Sequence, residues 1–138
     1  MHIAEATGQA IQAKGLSKVA LLGTKYVMEK DFYKDLLTNK FGIEVLIPNA
    51  EERAFIHEVI YSELVQGVIT DASRKGYKKV IQRLAEAGAE GAILGCTEIP
   101  LLIKPADVTI PTFNTTKIHA EQAVAWALKE VMNLSNPI

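Results

Sequence analysis

The feature that most limits what this chain can fold into is a repeated switch of periodicity. Short apolar runs alternate with longer stretches whose apolar residues recur at helical spacing. The runs, residues 18–22, 43–47, 91–94 and 108–110, are rich in β-branched residues or leucine and too short for ordinary helices. Between them, a helix is predicted over 27–40 with Phe32, Tyr33, Leu36 and Leu37 on one face. A second is announced by Asn49 with Glu52 three residues later, a capping-box pattern, and carries Phe55, Val59 and Ile60 inward. A third begins near Ser73, places Tyr77, Val80, Ile81 and Leu84 on one stripe, and is closed by Gly88. Strands alternating with helices predict an α/β fold: a four-stranded parallel sheet with helices on both faces.

The length, 138 residues with 49% hydrophobic, suits one domain with a real core, and no repeat or long linker divides it. Fifteen basic residues against sixteen acidic ones, with no basic stripe, argue against a nucleic-acid partner. No apolar stretch approaches the roughly 20 residues a membrane-spanning helix needs, and the first residues lack the blocks of a signal peptide. A cytoplasmic location and no membrane partner are therefore expected. One cysteine excludes an internal disulfide and a thiolate metal site, and His2, His57 and His119 have no metal-ligand spacing. His57 reads as an exposed helix residue, whereas His119 stands where it can approach the end of the sheet.

The third run delivers that cysteine into Gly95-Cys96-Thr97-Glu98-Ile99-Pro100. Gly95 allows a tight turn and Thr97 can cap a helix starting there. Beside a helix N-terminus the Cys96 thiol would be driven toward the thiolate and become a base or nucleophile. The other reading is structural, since cysteine is among the most buried residue types. In a parallel sheet all strands end on one rim, where open α/β folds bind ligands. The rim residues here are Gly23-Thr24, Pro48-Asn49, residues 95–98 and residues 111–114, so Cys96 is surrounded by small polar groups. Thr24 and Thr97 can hold a carboxylate through hydroxyl and backbone N–H groups, while Asn49 and Asn114 read as helix caps. Neither the spacing of a phosphate loop around Gly23-Thr24-Lys25 nor a dinucleotide fingerprint is present.

The two ends fit a lone domain less well. Residues 3–14 form a helix before the first strand, with a thin face of Ile3, Ala6, Ala10 and Ile11. The last helix, residues 116–132, carries one stripe of Ala120, Val124, Leu128 and Val131 and another of His119, Ala123 and Trp126. Two apolar faces predict two packing partners: this domain for the first stripe and a further surface for the second.

Four ordered segments, residues 21–29, 47–53, 91–99 and 110–120, together resemble the cofactor-independent aspartate/glutamate racemases. Glutamate racemases typically have histidine after Cys-Thr, so Glu98 points to the aspartate racemase branch. The resemblance implies two similar α/β domains with a cysteine from each facing an amino-acid or dicarboxylate substrate, one thiolate removing the α-proton and the opposite thiol returning one. It implies no cofactor and no metal. Cys96 matches the second catalytic cysteine, Thr97 and Glu98 its neighbours, and Thr24 a carboxylate-binding threonine. A family lysine is replaced near Thr70, and a family aspartate is Asn114. The roles of Gln66, Thr70 and Asn114 in specificity stay open.

The match starts only at His2, in what resembles the segment joining the two domains. Residues 1–15 are therefore expected to be an inter-domain helix, 16–113 the sheet domain, and 114–138 a terminal helix for the absent first domain. The resulting expectation is half of an amino-acid racemase, inactive alone, whose partner is the missing domain or a second copy of the chain. The alternative is a carboxylate-binding or interaction module in which Cys96 is incidental.

Overall fold

A computed structural model describes residues 3–135; His2, where the family resemblance begins, lies outside the described residues. The elements run α1 (Ile3–Ala13), β1 (Lys18–Leu22), α2 (Lys25–Glu29), α3 (Asp31–Phe41), β2 (Glu44–Leu46), α4 (Ala50–Val59), a π-helical turn (Ile60–Leu64), α5 (Asp71–Glu86), β3 (Ala92–Leu94), α6 (Ile99–Leu102), a 3-10 turn (Pro105–Asp107), β4 (Thr112–Asn114) and α7 (Thr115–Ser135). The four strands form one parallel sheet in the order β2-β1-β3-β4. Two cores lie against its faces. Val19, Leu21, Ile93 and Phe113 meet Ile11 of α1 and Leu37 of α3. Ala20, Leu22 and Leu94 meet Ile56, Ile60, Tyr77, Ile81 and Leu102 from α4, the π-helical turn, α5 and α6. Alternate strand residues thus feed opposite faces, and a sheet covered on both sides reads as continuous apolar runs.

Local chemistry explains the helix boundaries. Asn49 and Glu52 form the expected capping box at 2.9 Å in both directions. Thr70 caps α5 by accepting from Ser73 N–H at 3.1 Å, and Gly88 takes φ +114° after the helix. Tyr77, Val80, Ile81 and Leu84 are buried as predicted.

Several predicted details differ. The helix over 27–40 is two helices, because Lys30 is extended (φ −76°, ψ 144°) and separates a short rim helix from one lying along the sheet. Phe32 is exposed, and Leu37 is the fully buried member of its expected face. On α4, Phe55 is partly exposed and Ile56 takes the inward position, with Tyr77 Oη donating to the Ile56 carbonyl at 2.6 Å. The fourth strand is not 108–110 but Thr112–Asn114. Val108 and Ile110 do pack against the core, so their apolar signal was one of burial. Pro111 has no N–H to give to a ladder, but its carbonyl accepts from Ala92 N–H at 2.9 Å, and regular pairing starts beyond it.

The last helix departs furthest from expectation. Its first turns sit against α1 and β4, with Thr115 buried and Ile118 packed on the core. A helix of 21 residues is roughly 30 Å long and outruns the sheet. Val124, Leu128 and Val131, the stripe expected to cover this domain, are each 59% exposed, and Trp126 is 67% exposed. His119, Ala123 and Trp126 do share one hollow, while Ala120, Val124 and Leu128 line another. Among the described residues no helix is long and apolar enough to cross a membrane.

Gly91 marks where β3 enters the sheet. A Cβ there would lie 2.8 Å from the Phe113 ring, 3.1 Å from Leu16 and 3.4 Å from the Pro111 carbonyl. Gly91→Val should lower stability by about 1–3 kcal/mol, the usual cost of overpacking, with a corresponding fall in the urea midpoint.

Candidate active site

The order β2-β1-β3-β4 sends the chain leaving β1 toward one edge and the chain leaving β3 toward the other. The crevice between the C-terminal ends of β1 and β3 is thus a topological switch point, where the connections diverge and leave an opening. Leu22 of β1 pairs with Leu94 of β3, so Thr24 and Cys96 each stand two residues beyond a matched pair. Gly95 N–H donates to the Leu22 carbonyl at 2.7 Å, which locks the two exit turns side by side. A Cβ on Gly95 would lie 3.0 Å from that carbonyl, and one on Gly23 3.0 Å from Val27. Glycine at both positions lets the turns run this close.

Thr24 is the N-cap of α2. Its Oγ1 accepts from Val27 N–H at 3.4 Å, leaving the hydroxyl proton free to be donated. Cys96 is half-buried, packed against the core on the α4–α5 side. Its Sγ donates to Glu98 Oε2 at 2.9 Å. Glu98 also receives the Thr97 hydroxyl, and these two bonds hold its carboxyl below the usual carboxylate range. Burial first, then the Glu98 carboxylate, push the Cys96 thiol up to about 11, against the backbone N–H groups of Glu98 and Ile99, which favour the thiolate.

The expected low-pKa thiol is therefore corrected. Helix α6 starts only at Ile99, has a single turn, and is not capped by Thr97. Burial, and after it a neighbouring carboxylate, outweigh the few N–H groups that remain. Thr97 is exposed, and together with Glu98 it is engaged with the thiol side of the site.

Asn114, Thr70 and Ser73 make bracing contacts. Asn114 Oδ1 accepts from Lys117 N–H at 3.1 Å at the start of α7. Thr70 and Ser73 both donate to Glu63 Oε1 on the π-helical turn, at 3.3 and 2.7 Å. Gln66 lies exposed in the turn that follows. His119 is on the exposed side of α7 with Trp126. Two residues were not foreseen from the sequence. Thr115, buried, donates from Oγ1 to the Leu94 carbonyl at 3.2 Å and fixes the end of β3. Its position at a strand-to-helix junction was the available signal. His57 is half-buried rather than exposed, and its Nδ1 accepts from Lys25 N–H at 2.9 Å. Thirty-two residues separate the two, so no local pattern reports the contact. Among the described residues no group of three His, Cys, Asp or Glu side chains is arranged to hold a metal ion.

The Asp/Glu/hydantoin racemase family model matches residues 1–123. An uncharacterized protein from the pnlA 3′ region of Pectobacterium carotovorum subsp. carotovorum is 32% identical over 128 residues, covering 91% of this chain and 83% of that protein. The crystal structure of a candidate Asp/Glu racemase from Yersinia pestis superposes with a TM-score of 0.88 at 46% identity. An aspartate racemase homologue from Pyrococcus horikoshii OT3 gives 0.86 at 38%. Each alignment covers 92% of this chain and 55% of the other, so the chain spans about half the length of these two proteins. The aspartate racemase of Picrophilus torridus, 21% identical with a TM-score of 0.64, shares the fold.

Because its thiol is held protonated, Cys96 should alkylate with iodoacetamide more slowly at pH 7.5 than a free cysteine, its rate still rising above pH 9. Glu98→Gln removes the negative charge beside Sγ and should move the pH–rate profile toward lower pH. A midpoint lower by about one pH unit leaves about tenfold more thiolate at pH 7.5.

Proposed function

The chain belongs to the Asp/Glu/hydantoin racemase family, and from that premise we propose that it supplies one of the two proton-transfer faces of a cofactor-independent racemase acting on acidic amino acids. The observation that carries the reading is the meeting of Thr24 and Cys96 on adjoining turns at the β1/β3 switch point. Thr24 offers a hydroxyl to the substrate α-carboxylate, and Cys96 faces the α-carbon.

The Cys96–Glu98 contact supports a defined proton path. In one direction Cys96, resting as a thiol, gives its proton to the α-carbanion, and the thiolate left behind is met by the N–H groups of Glu98 and Ile99. In the other, the thiolate left by the first direction removes the α-proton, and the thiol that results returns to its contact with Glu98. Thr97 steadies the Glu98 carboxylate by donating to it. In this reading Thr97 and Glu98 serve the substrate through the thiol.

Inversion requires a second acid-base group on the opposite side of the α-carbon, and the chain has one cysteine. The second group is assigned to a companion α/β domain or a second copy of this chain. The residue ranges 1–15 and 114–138 then act as the joining helix and the helix reaching toward that companion. The exposed Val124, Trp126, Leu128 and Val131 support this use of α7. A second reading, a carboxylate-binding module in which Cys96 does no chemistry, draws its support from the protonated resting thiol.

Incubation with L-aspartate or L-glutamate in deuterium oxide separates the two. The chain alone should exchange the α-hydrogen slowly with retained configuration and should not racemise, and Cys96→Ala should abolish the exchange. Cofactor-free racemisation at enzyme rates by a monomer would overturn the one-face assignment, and carboxylate binding with no exchange would favour the module.

Trp126 gives an independent check on the companion. Its emission in the dilute chain should be that of a solvated indole and should shift to the blue as concentration rises, with light scattering reporting self-association. Burying such a side chain contributes on the order of 2 kcal/mol, enough to bias a weak dimer.

A further inference from the structure

We infer that His57 is a positioning residue for the β1–α2 turn: its neutral imidazole holds Lys25, and with it Thr24, at the rim, and protonation of the ring releases them. The Lys25 N–H points at Nδ1 from 2.9 Å, and a backbone N–H can only donate. Nδ1 must therefore be unprotonated, with the ring hydrogen on Nε2. A histidinium carries hydrogens on both nitrogens, so donor would face donor and the contact would be lost. Lys25 is the first residue of α2 and Thr24 is its N-cap, so the brace acts one residue from the hydroxyl assigned to the substrate carboxylate. That last step rests on the function proposed above; the contact between His57 and Lys25 does not.

The surroundings of the ring suit a brace that responds to pH. Tyr61, on the π-helical turn that follows α4, tilts its ring against His57 at a centroid distance of 4.6 Å and fixes the imidazole plane. Lys25, Tyr26 and Glu29 of α2 and Lys30 just beyond it line the same shallow hollow as His57. Glu29 is engaged by Arg53, one turn before His57 on α4, at 3.1 Å, and Arg53 also donates to the Pro48 carbonyl at 2.7 Å. On the α5 side, Tyr77 is committed to the carbonyl of Ile56. Helices α2 and α4 are thus pinned by Arg53–Glu29 at one point and by His57–Lys25 at another, and only the second is lost when an imidazole gains a proton.

Amide NMR of the full chain from pH 5 to 8 tests this with three proteins. In the wild type, the Thr24 and Lys25 amide resonances should move with the same midpoint as the His57 ring protons. His57→Asn offers an amide oxygen near the place of Nδ1 and does not titrate, so those two resonances should stay near their neutral-pH positions throughout. His57→Ala should exchange the Lys25 amide hydrogen about tenfold faster than the wild type at neutral pH, as expected for one lost hydrogen bond. Lys25 and Thr24 signals indifferent to pH in the wild type, or Lys25 exchange unchanged in His57→Ala, would overturn the inference. Succinate added at pH 7.5 keeps the two ideas apart. Amides that titrate with His57 while succinate moves neither Thr24 nor Cys96 support the brace and count against the carboxylate site.

Discussion

The constraint on which this site depends is the in-register parallel pairing of Leu22 with Leu94 and of Leu94 with Asn114. Each pairing sets a strand end at the same height, and backbone hydrogen bonds extend the alignment past the last sheet residue through Gly95 N–H and the Leu22 carbonyl. Slipping a strand by one residue would turn its side chains to the other face and undo both cores. The burial of Leu21 and Ile93 on one side and Leu22 and Leu94 on the other therefore protects the position of Thr24 and Cys96. The geometry of the rim is a by-product of the most buried part of the molecule.

Around this frame the polar groups work as fasteners at strand ends. Thr115 ties α7 to β3, Asn114 caps α7, and Glu63 collects Ser73 and Thr70 to join the π-helical turn to α5. Among the described residues no buried side-chain nitrogen or oxygen lacks a partner, so the desolvation cost of these groups is met locally. The thiol belongs to the same pattern: it donates to a carboxylate two residues on.

The surface of α7 is a different matter. Val124, Trp126, Leu128, Val131 and Met132 are exposed while the root of the helix is held by α1 and β4. A helix that outruns its own sheet and keeps Trp126 in solvent presents an apolar surface. The Yersinia and Pyrococcus proteins that share this fold are nearly twice as long as the matched region.

Periodicity and composition were enough to determine the α/β class, three of the four strands, the capping box at Asn49 and the buried stripe of α5, because each of these is written within a few neighbouring residues. The Gly-Cys-Thr-Glu turn was likewise legible as the exit of a buried strand onto the rim of the sheet. Four things were decided only by the tertiary structure. Pairing moved the fourth strand beyond Pro111, because a strand is defined by the partner that accepts its hydrogen bonds. The length of the sheet left both stripes of α7 in solvent, since a helix cannot be covered where nothing lies beneath it. Burial of the thiol, reinforced by the Glu98 carboxylate 2.9 Å away, reversed the direction expected for its pKa. The fold brought His57 to Lys25 across 32 residues. Local signals travel along the chain, whereas burial, pairing and charge proximity belong to surfaces that exist only once distant segments have met.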